Sequence, residues 1–229
     1  TDAYQRERLI MPCNCCEITD NAFSETEARL ELKNYRKRGP ARQTKLILEA
    51  IRSLGLKGVS LLDVGGGIGA IYHELLKDIA REAVHVDASS AYLKEAKEET
   101  ARRGNSEHVQ FIHADFTEVA PELPQADVVT LDRVVCCYPD FRGLLKGAAD
   151  HSRSAIALTY PRETWYTRIG LSVINFFQRL MRNPFRVFLH PVAEMESLLN
   201  NKGFVKTSVR RVSVWEMTLY QKQPDKIPS

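Results

Sequence analysis

The sequence predicts an α/β protein built on a doubly wound sheet. The first observation is the apolar run from Val59 to Val64, which is typical of a strand buried on both faces. The second is a glycine-rich turn directly after this run, followed by a helical pattern over residues 71–79. Strand, glycine turn and helix begin a nucleotide-binding unit, because glycines let the backbone turn tightly and approach a ligand. The glycines are Gly65, Gly66, Gly67 and Gly69.

Further apolar runs alternate with amphipathic segments along the rest of the chain, as an α/β fold requires. The predicted strands are 59–64, 83–87, 109–113, 126–131 and 155–160, and a terminal antiparallel hairpin of 204–212 and 213–220. The predicted helices are 23–38, 41–54, 71–79, 90–103, 141–150, a long helix that opens at 161–166 and runs to 180, and 192–201.

Length and composition bound the function. The 229 residues suit one domain, and the net charge of +3 favours a small anionic substrate over a nucleic-acid surface. We find no signal-peptide pattern and no apolar run of the roughly 18 residues that span a bilayer. The five cysteines are odd in number and clustered, which favours thiols in a reducing cytoplasm over a disulfide framework.

The N-terminal residues predict a tail with a cysteine cluster, Cys13, Cys15 and Cys16. Three thiolates can hold a soft metal, but their spacing matches no zinc pattern. A redox-labile or lid-like tail is therefore favoured, and no metal site is predicted.

Two helices are predicted before the glycine strand. Ser24 and Glu27 have the spacing of a capping box, which predicts the start of the first helix. Its basic end, Arg36 to Arg38, complements the helix dipole, and Gly39-Pro40 ends it.

Two ligand classes compete for the glycine loop. Gly65, Gly67 and Ala70 fit the dinucleotide pattern G-x-G-x-x-G/A, and Asp87 lies at a suitable distance. Asp63 decides between the classes, because a carboxylate two residues before Gly65 would repel a pyrophosphate. It would suit the free ammonium group of S-adenosylmethionine (SAM), which carries no phosphate.

Two further acids follow predicted strands, at the edge where doubly wound sheets bind ligands. Asp87 is expected to accept both ribose hydroxyls, with Ala88 beside it; the alternative is that Asp87 caps the next helix. Asp115 is expected to accept from an adenine amine, and Phe116 to pack on the base. Ordinary core packing is the alternative for Phe116.

The segment after the fourth strand lies at the predicted switch point of the sheet, where the transferable methyl should face. It lacks the N-P-P-Y motif that grips an exocyclic amine, which argues against adenine and glutamine as substrates. Asp132 and Tyr138 are plausible polar groups of the pocket. Cys136 and Cys137 are either soft nucleophiles or small packing residues.

Asp63, Gly65, Gly67 and Gly69 form D-x-G-x-G-x-G, which resembles the first motif of class I SAM-dependent methyltransferases. The resemblance covers residues 42 to 221. It implies a Rossmann-like seven-stranded sheet of order 3-2-1-4-5-7-6 with an antiparallel last hairpin, SAM as the cofactor and N-terminal lid helices. The implied organisation is a tail and lid helix over 1–40, a methyltransferase domain over 41–221 and a tail over 222–229.

A narrower resemblance lies in the second half of the chain. The segments 131–139 and 160–166, Leu189-His190 and Gly203-Phe204 are similar to magnesium-protoporphyrin O-methyltransferases. The run from Asp132 to Asp140 is closer still to uncharacterised bacterial methyltransferases. Arg133, Cys136 and Cys137 depart from the porphyrin enzymes.

The resulting hypothesis is methyl transfer from SAM to a small molecule, by in-line displacement on a carboxylate or hydroxyl oxygen. A hydroxyl needs a base, for which His190 and Tyr138 are the candidates. Arg133, Arg162 and Arg186 are candidates to hold an anionic substrate, with surface ion pairs as the alternative.

Three features stay open at this point. The cysteines permit thiol or metalloid methylation, and a non-catalytic SAM-binding module is a further alternative. The long helix after the fifth strand either roofs the substrate site or lies on a membrane surface, since arginines flank it. The chain is expected to be a monomer or a homodimer.

Overall fold

A computed structural model of the chain describes residues 18–19 and 22–223. The predicted roles of Cys13, Cys15 and Cys16 therefore lie outside the described residues, as does the end of the predicted C-terminal tail.

Within the described residues, seven strands form one sheet of order β3-β2-β1-β4-β5-β7-β6, which confirms the predicted order. Strands β1 to β5 are parallel, and β7 runs antiparallel to both β5 and β6, so the predicted antiparallel hairpin is also confirmed. The strands are β1 (Val59–Val64), β2 (Ala80–Asp87), β3 (Val109–His113), β4 (Ala126–Asp132), β5 (Ser152–Pro161), β6 (Phe204–Val212) and β7 (Trp215–Lys222).

The helices follow the predicted alternation with the strands. They are α1 (Glu25–Arg38), α2 (Arg42–Arg52), α3 (Ala70–Leu75), α4 (Ser90–Arg102), α5 (Phe116–Val119), α6 (Phe141–His151), α7 (Trp165–Leu180) and α8 (Val192–Asn201). The predicted helix over 71–79 is too long, because α3 ends at Leu75. Ile79 instead offers its carbonyl to the Val59 amide, and β2 begins one residue later.

Apolar side chains cover the sheet on both faces, which explains why every residue of β1 is buried. On one face, Ile47 and Ile51 of α2 pack with Ile71 and Leu75 of α3. On the other face, α6 and α8 supply Leu144, Leu145, Met195 and Leu199. The sheet is therefore held in a three-layer sandwich, with its carboxyl edge presenting the loops that follow β1, β2 and β4.

Helix α1 lies over the glycine loop. Its capping box is present, because Ser24 accepts from the Glu27 amide and the Glu27 side chain accepts from the Ser24 amide. Leu32 and Tyr35 are buried in a small cluster with Ile68 of the loop. An ion pair of 2.7 Å between Arg36 and Glu99 joins α1 to α4. The sequence predicted this helix, but its position over the loop comes from long-range packing.

Helix α7 differs from the others, because Thr167 is its single fully buried residue. None of the helices in the described ranges combines the length and the apolar character needed to cross a bilayer.

Candidate active site

The glycine loop after β1 is shaped by close approaches that exclude side chains. Gly65 and Gly67 have φ values of 59° and 57°, in the left-handed region that favours glycine. A Cβ on Gly65 would lie 2.6 Å from Val134, and one on Gly66 would lie 2.4 Å from the carboxylate of Asp63. The loop therefore presents bare backbone at the carboxyl edge of the sheet, as binding of a nucleoside ligand requires.

Asp87 fixes this loop to the end of β2. Its Oδ2 accepts from the Gly67 amide and its Oδ1 from the Ser89 amide, both at 2.8 Å. The side chain that caps α4 is Ser89, which accepts from the Tyr92 amide. Asp87 is thus the last residue of β2 and is bonded to the loop that follows β1, where a ribose is predicted. The neighbouring carbonyl of Ala88 lies 3.1 Å from Nε2 of His113, which ties the ends of β2 and β3 together.

Asp63 lies beneath the glycine loop and is fully buried. Its Oδ1 accepts from the Thr130 hydroxyl at 2.6 Å, whereas its Oδ2 has no hydrogen-bond partner among the described residues. Burial raises the pKa of Asp63 to about 7. His85, its register partner on β2, is also fully buried, and burial lowers the pKa of this imidazole to about 3. The carboxylate on which the prediction of SAM rested therefore lies under the loop, and Asp63 does not line the cavity described next.

A cavity of about 440 Å³ opens between the glycine loop and the turn that joins α1 to α2. Gly65, Gly66 and Gly67 form one wall, and Asp132 and Arg133 form another. The charged residues lining it, counted over the described chain, are four cations and two acids. They are Arg38, Arg42, Lys45 and Arg133, and Glu31 and Asp132. The cavity is therefore net cationic.

Arg133 enters the cavity wall in an unusual backbone conformation. Its φ of 63° places a non-glycine residue in the left-handed region, at a cost of about 1–3 kcal/mol. Its amide donates to the Thr159 hydroxyl at 2.8 Å, and its guanidinium pairs with Glu31 at 2.7 Å. Its Nε is buried and has no hydrogen-bond partner within the described residues. Such strain and an unpaired donor are typical of a functional site.

Asp132 is held rigidly beside Arg133. Its two carboxylate oxygens accept from the hydroxyls of Thr159 and Thr44, each at 2.5 Å. Thr44 is on α2, so this acid joins the lid helices to the end of β4. Asp132 therefore has a fixed position at the switch point of the sheet.

Asp115 and Tyr138 form a hydrogen-bonded pair, and neither residue lines the cavity. The Tyr138 hydroxyl donates to Oδ1 of Asp115 at 2.6 Å, and the same oxygen accepts from the Thr117 amide at the start of α5. Phe116 does not lie at the surface of the site. Its ring is buried in the core against Gly147 and His151, which is the packing alternative for this residue.

The structure does not bring His190, Arg162 or Arg186 to the cavity. His190 packs between Phe141 and Phe188, and its Nε2 lies 2.8 Å from the Tyr138 carbonyl. Burial lowers its pKa. Arg162 lies within 3.5 Å of the Ser213 carbonyl, and Arg186 donates to the Asn183 and Phe185 carbonyls. These three residues therefore brace loops, and their predicted contacts with substrate have no support in this geometry.

Cys136 and Cys137 lie in a short turn after β4. Their sulfur atoms are 3.9 Å apart, and both thiols donate to the Arg133 carbonyl at 3.4 Å. Hydrogen bonding from Cys136 lowers the pKa of Cys137. No group of three or more metal-ligating side chains was found in the described part of the chain.

Sequence reasoning missed the residues that the lid helices contribute to the cavity: Glu31, Arg38, Arg42, Thr44 and Lys45. The signal for them was the basic run at the end of α1, which has a sufficient local explanation in the helix dipole. Their role depends on where α1 and α2 dock, which no local pattern specifies.

Comparison with known proteins agrees with this geometry. Residues 61–154 match a family model described as a methyltransferase domain, and no curated protein matches the chain. A crystal structure of magnesium protoporphyrin IX methyltransferase from Synechocystis PCC 6803 with bound S-adenosylhomocysteine (SAH) has a TM-score of 0.71 at 17% identity, covering 92% of this chain and 100% of that one. An O-methyltransferase family protein from Burkholderia thailandensis has a TM-score of 0.64 at 16% identity, covering 90% and 64%. The N-methyltransferase NodS from Bradyrhizobium japonicum WM9, in complex with SAH, has a TM-score of 0.60 at 12% identity, covering 80% and 86%.

The sheet order, the glycine motif and the match of residues 61–154 to a methyltransferase domain together support a class I SAM-dependent methyltransferase. Within that class, its fold resembles that of magnesium protoporphyrin IX methyltransferase over the full length of the cyanobacterial enzyme. At this level of identity the likeness extends to the fold alone.

Proposed function

We propose that the protein transfers a methyl group from SAM to an oxygen atom of a small anionic acceptor, either a carboxylate or a hydroxyl. The observation that carries the proposal is the net cationic cavity between the glycine loop and the lid helices. One structural relative is named as an O-methyltransferase family protein, which points to the same kind of acceptor atom.

The described residues fit SAM as the methyl donor. The bare backbone of Gly65 to Gly67 leaves room for the ligand, because the approaches to Val134 and Asp63 leave none for side chains. Asp87 would hold the ribose, and Asp115 the adenine amine, since both carboxylates are fixed by backbone amides at the carboxyl edge of the sheet. SAM supplies an electrophilic methyl group on its sulfonium.

Arg133 is the candidate to hold the acceptor. A guanidinium binds a carboxylate through two parallel hydrogen bonds, and the Arg133 side chain is partly exposed at the cavity wall. Arg38 and Arg42 lie on the opposite, lid side of the same cavity. An anionic acceptor enclosed between these groups would be fixed near the switch point, and proximity of this kind supplies much of the catalysis in a displacement reaction.

The need for a base depends on the acceptor. A carboxylate is already nucleophilic at neutral pH, so no proton has to be moved. A hydroxyl has to lose its proton, and Tyr138 is the better placed of the two predicted bases. Its oxygen would take up the proton of the acceptor hydroxyl while its own proton passes to the Asp115 carboxylate, to which it already donates a hydrogen bond. We keep His190 as the second candidate, although its ring faces a backbone carbonyl.

The proposal includes a reducing, cytoplasmic location, because the five cysteines are odd in number and clustered, which favours thiols over a disulfide framework.

The experiment uses SAM labelled in its methyl group and paired acceptors. Each carboxylated acceptor, carboxylated tetrapyrroles among them, is offered beside its own methyl ester, and hydroxylated aromatics form a second set. Label that is released as methanol by hydroxide identifies a carboxylate acceptor, and base-stable label on a phenol identifies a hydroxyl. Binding of SAH without turnover of any acceptor, or turnover of thiols and arsenite alone, would overturn the proposal.

A further inference from the structure

The polarity of helix α7 is the reverse of that of a typical surface helix of a soluble domain. Such a helix normally turns its apolar stripe to the core and its polar residues to water. The residues of α7 that face the protein are instead largely polar: buried Thr167 and half-buried Asn175 and Gln178, with Leu171 as the apolar exception. Asn175 is firmly engaged there, because its side-chain amide exchanges two hydrogen bonds with the Val187 backbone.

The outer face of α7 is apolar along its whole length. Its residues recur at helical spacing, so they share one side of the helix. Trp165 is 75% exposed, Phe176 63% and Leu180 69%. The other large apolar side chains that are exposed on the helix and just after it are Tyr166, Ile169, Val173, Ile174, Phe177 and Met181. An exposed apolar patch of this extent marks an interaction site.

The charge around this face has one sign. No Asp or Glu occurs in the sequence between Glu163 and Glu194, whereas the same stretch contains four arginines. Three of them, Arg168, Arg179 and Arg182, are exposed and form no ion pair with any carboxylate of the described residues. Most exposed arginines elsewhere have such a partner, as Arg29, Arg52 and Arg142 do.

We propose that α7 is a docking helix for an anionic phospholipid bilayer. An apolar face with aromatic residues, flanked by unpaired arginines, is the composition of helices that lie in the plane of a membrane interface. The apolar side chains would enter the boundary between headgroups and acyl chains, and the arginines would meet lipid phosphates.

The charge argues against a second copy of this chain as the occupant. A symmetric dimer uses the same patch on both subunits, so it would bring arginines of one copy against those of the other. The stretch supplies no acid to pair with them. Lipid phosphates supply that negative charge and the bilayer also accepts the apolar face.

The location of α7 gives the docking a consequence. The helix starts four residues after β5 ends, at the carboxyl edge of the sheet. The chain that follows it contacts the post-β4 turn, where the Phe188 amide donates to the Cys136 carbonyl at 2.7 Å. A protein docked through α7 would therefore hold this edge of the sheet close to the bilayer, which suits an acceptor that partitions into membranes. This last step rests on the proposed function; the docking itself does not.

The test is co-sedimentation of the full chain with vesicles of phosphatidylcholine alone or with about 30% phosphatidylglycerol. Each arginine near an anionic surface strengthens binding by about fivefold. With three such arginines, the wild-type chain should therefore bind the anionic vesicles about a hundred times more tightly, and 0.5 M salt should remove most of that preference.

Two double variants probe the surface, each with a matched control. The double variant Phe176→Gln/Phe177→Gln should reduce vesicle binding at least tenfold. Its control, Leu30→Gln/Val209→Gln, changes exposed apolar residues elsewhere and should leave vesicle binding unchanged.

The double variant Arg168→Gln/Arg179→Gln should lower the ratio of the affinities for anionic and neutral vesicles by about 25-fold. Arg81→Gln with Arg142→Gln, whose arginines are paired with acids, should keep it. Affinity for SAH in solution verifies that each variant is folded.

Tryptophan fluorescence reports the orientation. The chain has two tryptophans, Trp165 and Trp215. Brominated lipid should quench the emission of the Trp215→Phe variant, which reports Trp165, more strongly than that of the Trp165→Phe variant, because Trp215 lies on β7 and not on α7. Unchanged vesicle binding by the variant that combines Phe176→Gln and Phe177→Gln would overturn the proposal. So would a dimer in solution that the same variant dissociates, together with no vesicle binding by the wild-type chain.

Discussion

The Tyr138 hydroxyl lies 2.6 Å from the carboxylate of Asp115 and donates a hydrogen bond to it. This contact joins the turn after β4, where the acceptor is expected, to the start of α5, where the adenine is expected. The two predicted roles, a base for the acceptor and an anchor for the donor, therefore belong to one hydrogen-bonded pair.

Replacing Tyr138 with Phe separates these roles. With a hydroxyl acceptor, kcat should fall by about 10²-fold, because the proton acceptor is lost. With a carboxylate acceptor, kcat should stay within about twofold, since no proton is moved. Affinity for SAH should weaken by a few fold in either case, because Asp115 loses a hydrogen-bond donor. Steady-state kinetics and calorimetry measure these quantities, with Tyr166→Phe on α7 as the matched control. An equal loss of kcat for both acceptors would contradict the assignment of Tyr138 as a base.

Asp87→Asn tests the ribose site. The variant keeps the size of the side chain but loses the charge and one acceptor oxygen, so affinity for SAH should fall by about 10- to 100-fold. Asp127→Asn is a close control, because Asp127 also accepts from a backbone amide, that of Ser60, at the opposite edge of the sheet. Calorimetric titration with SAH measures both. Equal affinities of the two variants would place the ribose elsewhere.

Arg133→Gln tests the acceptor site. The Michaelis constant for an anionic acceptor should rise by about tenfold or more, because a charged hydrogen-bonded pair is lost. The dissociation constant of SAH should change far less. Arg162→Gln is the control, since Arg162 directly follows β5, does not line the cavity, and bonds the Ser213 carbonyl and the Tyr166 hydroxyl. If SAH binding fell and the acceptor constant did not, Arg133 would be assigned to the carboxylate of the donor.

The fold could be predicted from sequence because its signals are local and repeated. The apolar run before Gly65 and the acid at Asp87 lie on consecutive βα units, and the resemblance they carry supplied the strand order. The lining of the cavity could not be predicted in this way. Arg38 and Arg42 reach it because α1 packs on Ile68 and α2 packs on α3, which are long-range contacts.

Residues that were assigned to the site but lie elsewhere in the structure were misplaced for a similar physical reason. Arg186 and His190 follow a long helix in a stretch without regular structure, so the sequence gives no direction for their side chains. The structure turns Arg186 onto backbone carbonyls and packs His190 between two phenylalanine rings. The sequence analysis assigned Arg186 and His190 to the site because they are polar residues in a nearby loop. In the structure, their polar groups are instead engaged by local hydrogen bonds and packing.

Asp63 gives a prediction about stability and pH. Burial raises its pKa in the folded protein from 3.8 to about 7, so between these values the folded state holds a proton that the unfolded state has lost. Its contribution to the free energy of unfolding is therefore full below pH 4, falls as the pH rises to 7 and stays low above it. At about 1.4 kcal/mol for each pKa unit, the loss is at most about 4 kcal/mol.

Asp63→Asn removes this dependence while keeping an acceptor oxygen for Thr130. Buried His73 and His85 have their pKa values lowered to about 3, so their contribution has the opposite sign and increases from pH 3 to 6.5. In the wild-type chain these effects oppose each other. In the variant only the histidine contribution remains. From pH 4.5 to pH 8, the free energy of unfolding of the variant should therefore rise relative to that of the wild-type chain by a few kcal/mol. Urea unfolding at both pH values measures the change. The comparison across pH cancels any constant cost of burying the amide, so parallel curves for the two proteins would mean that Asp63 is ionised throughout.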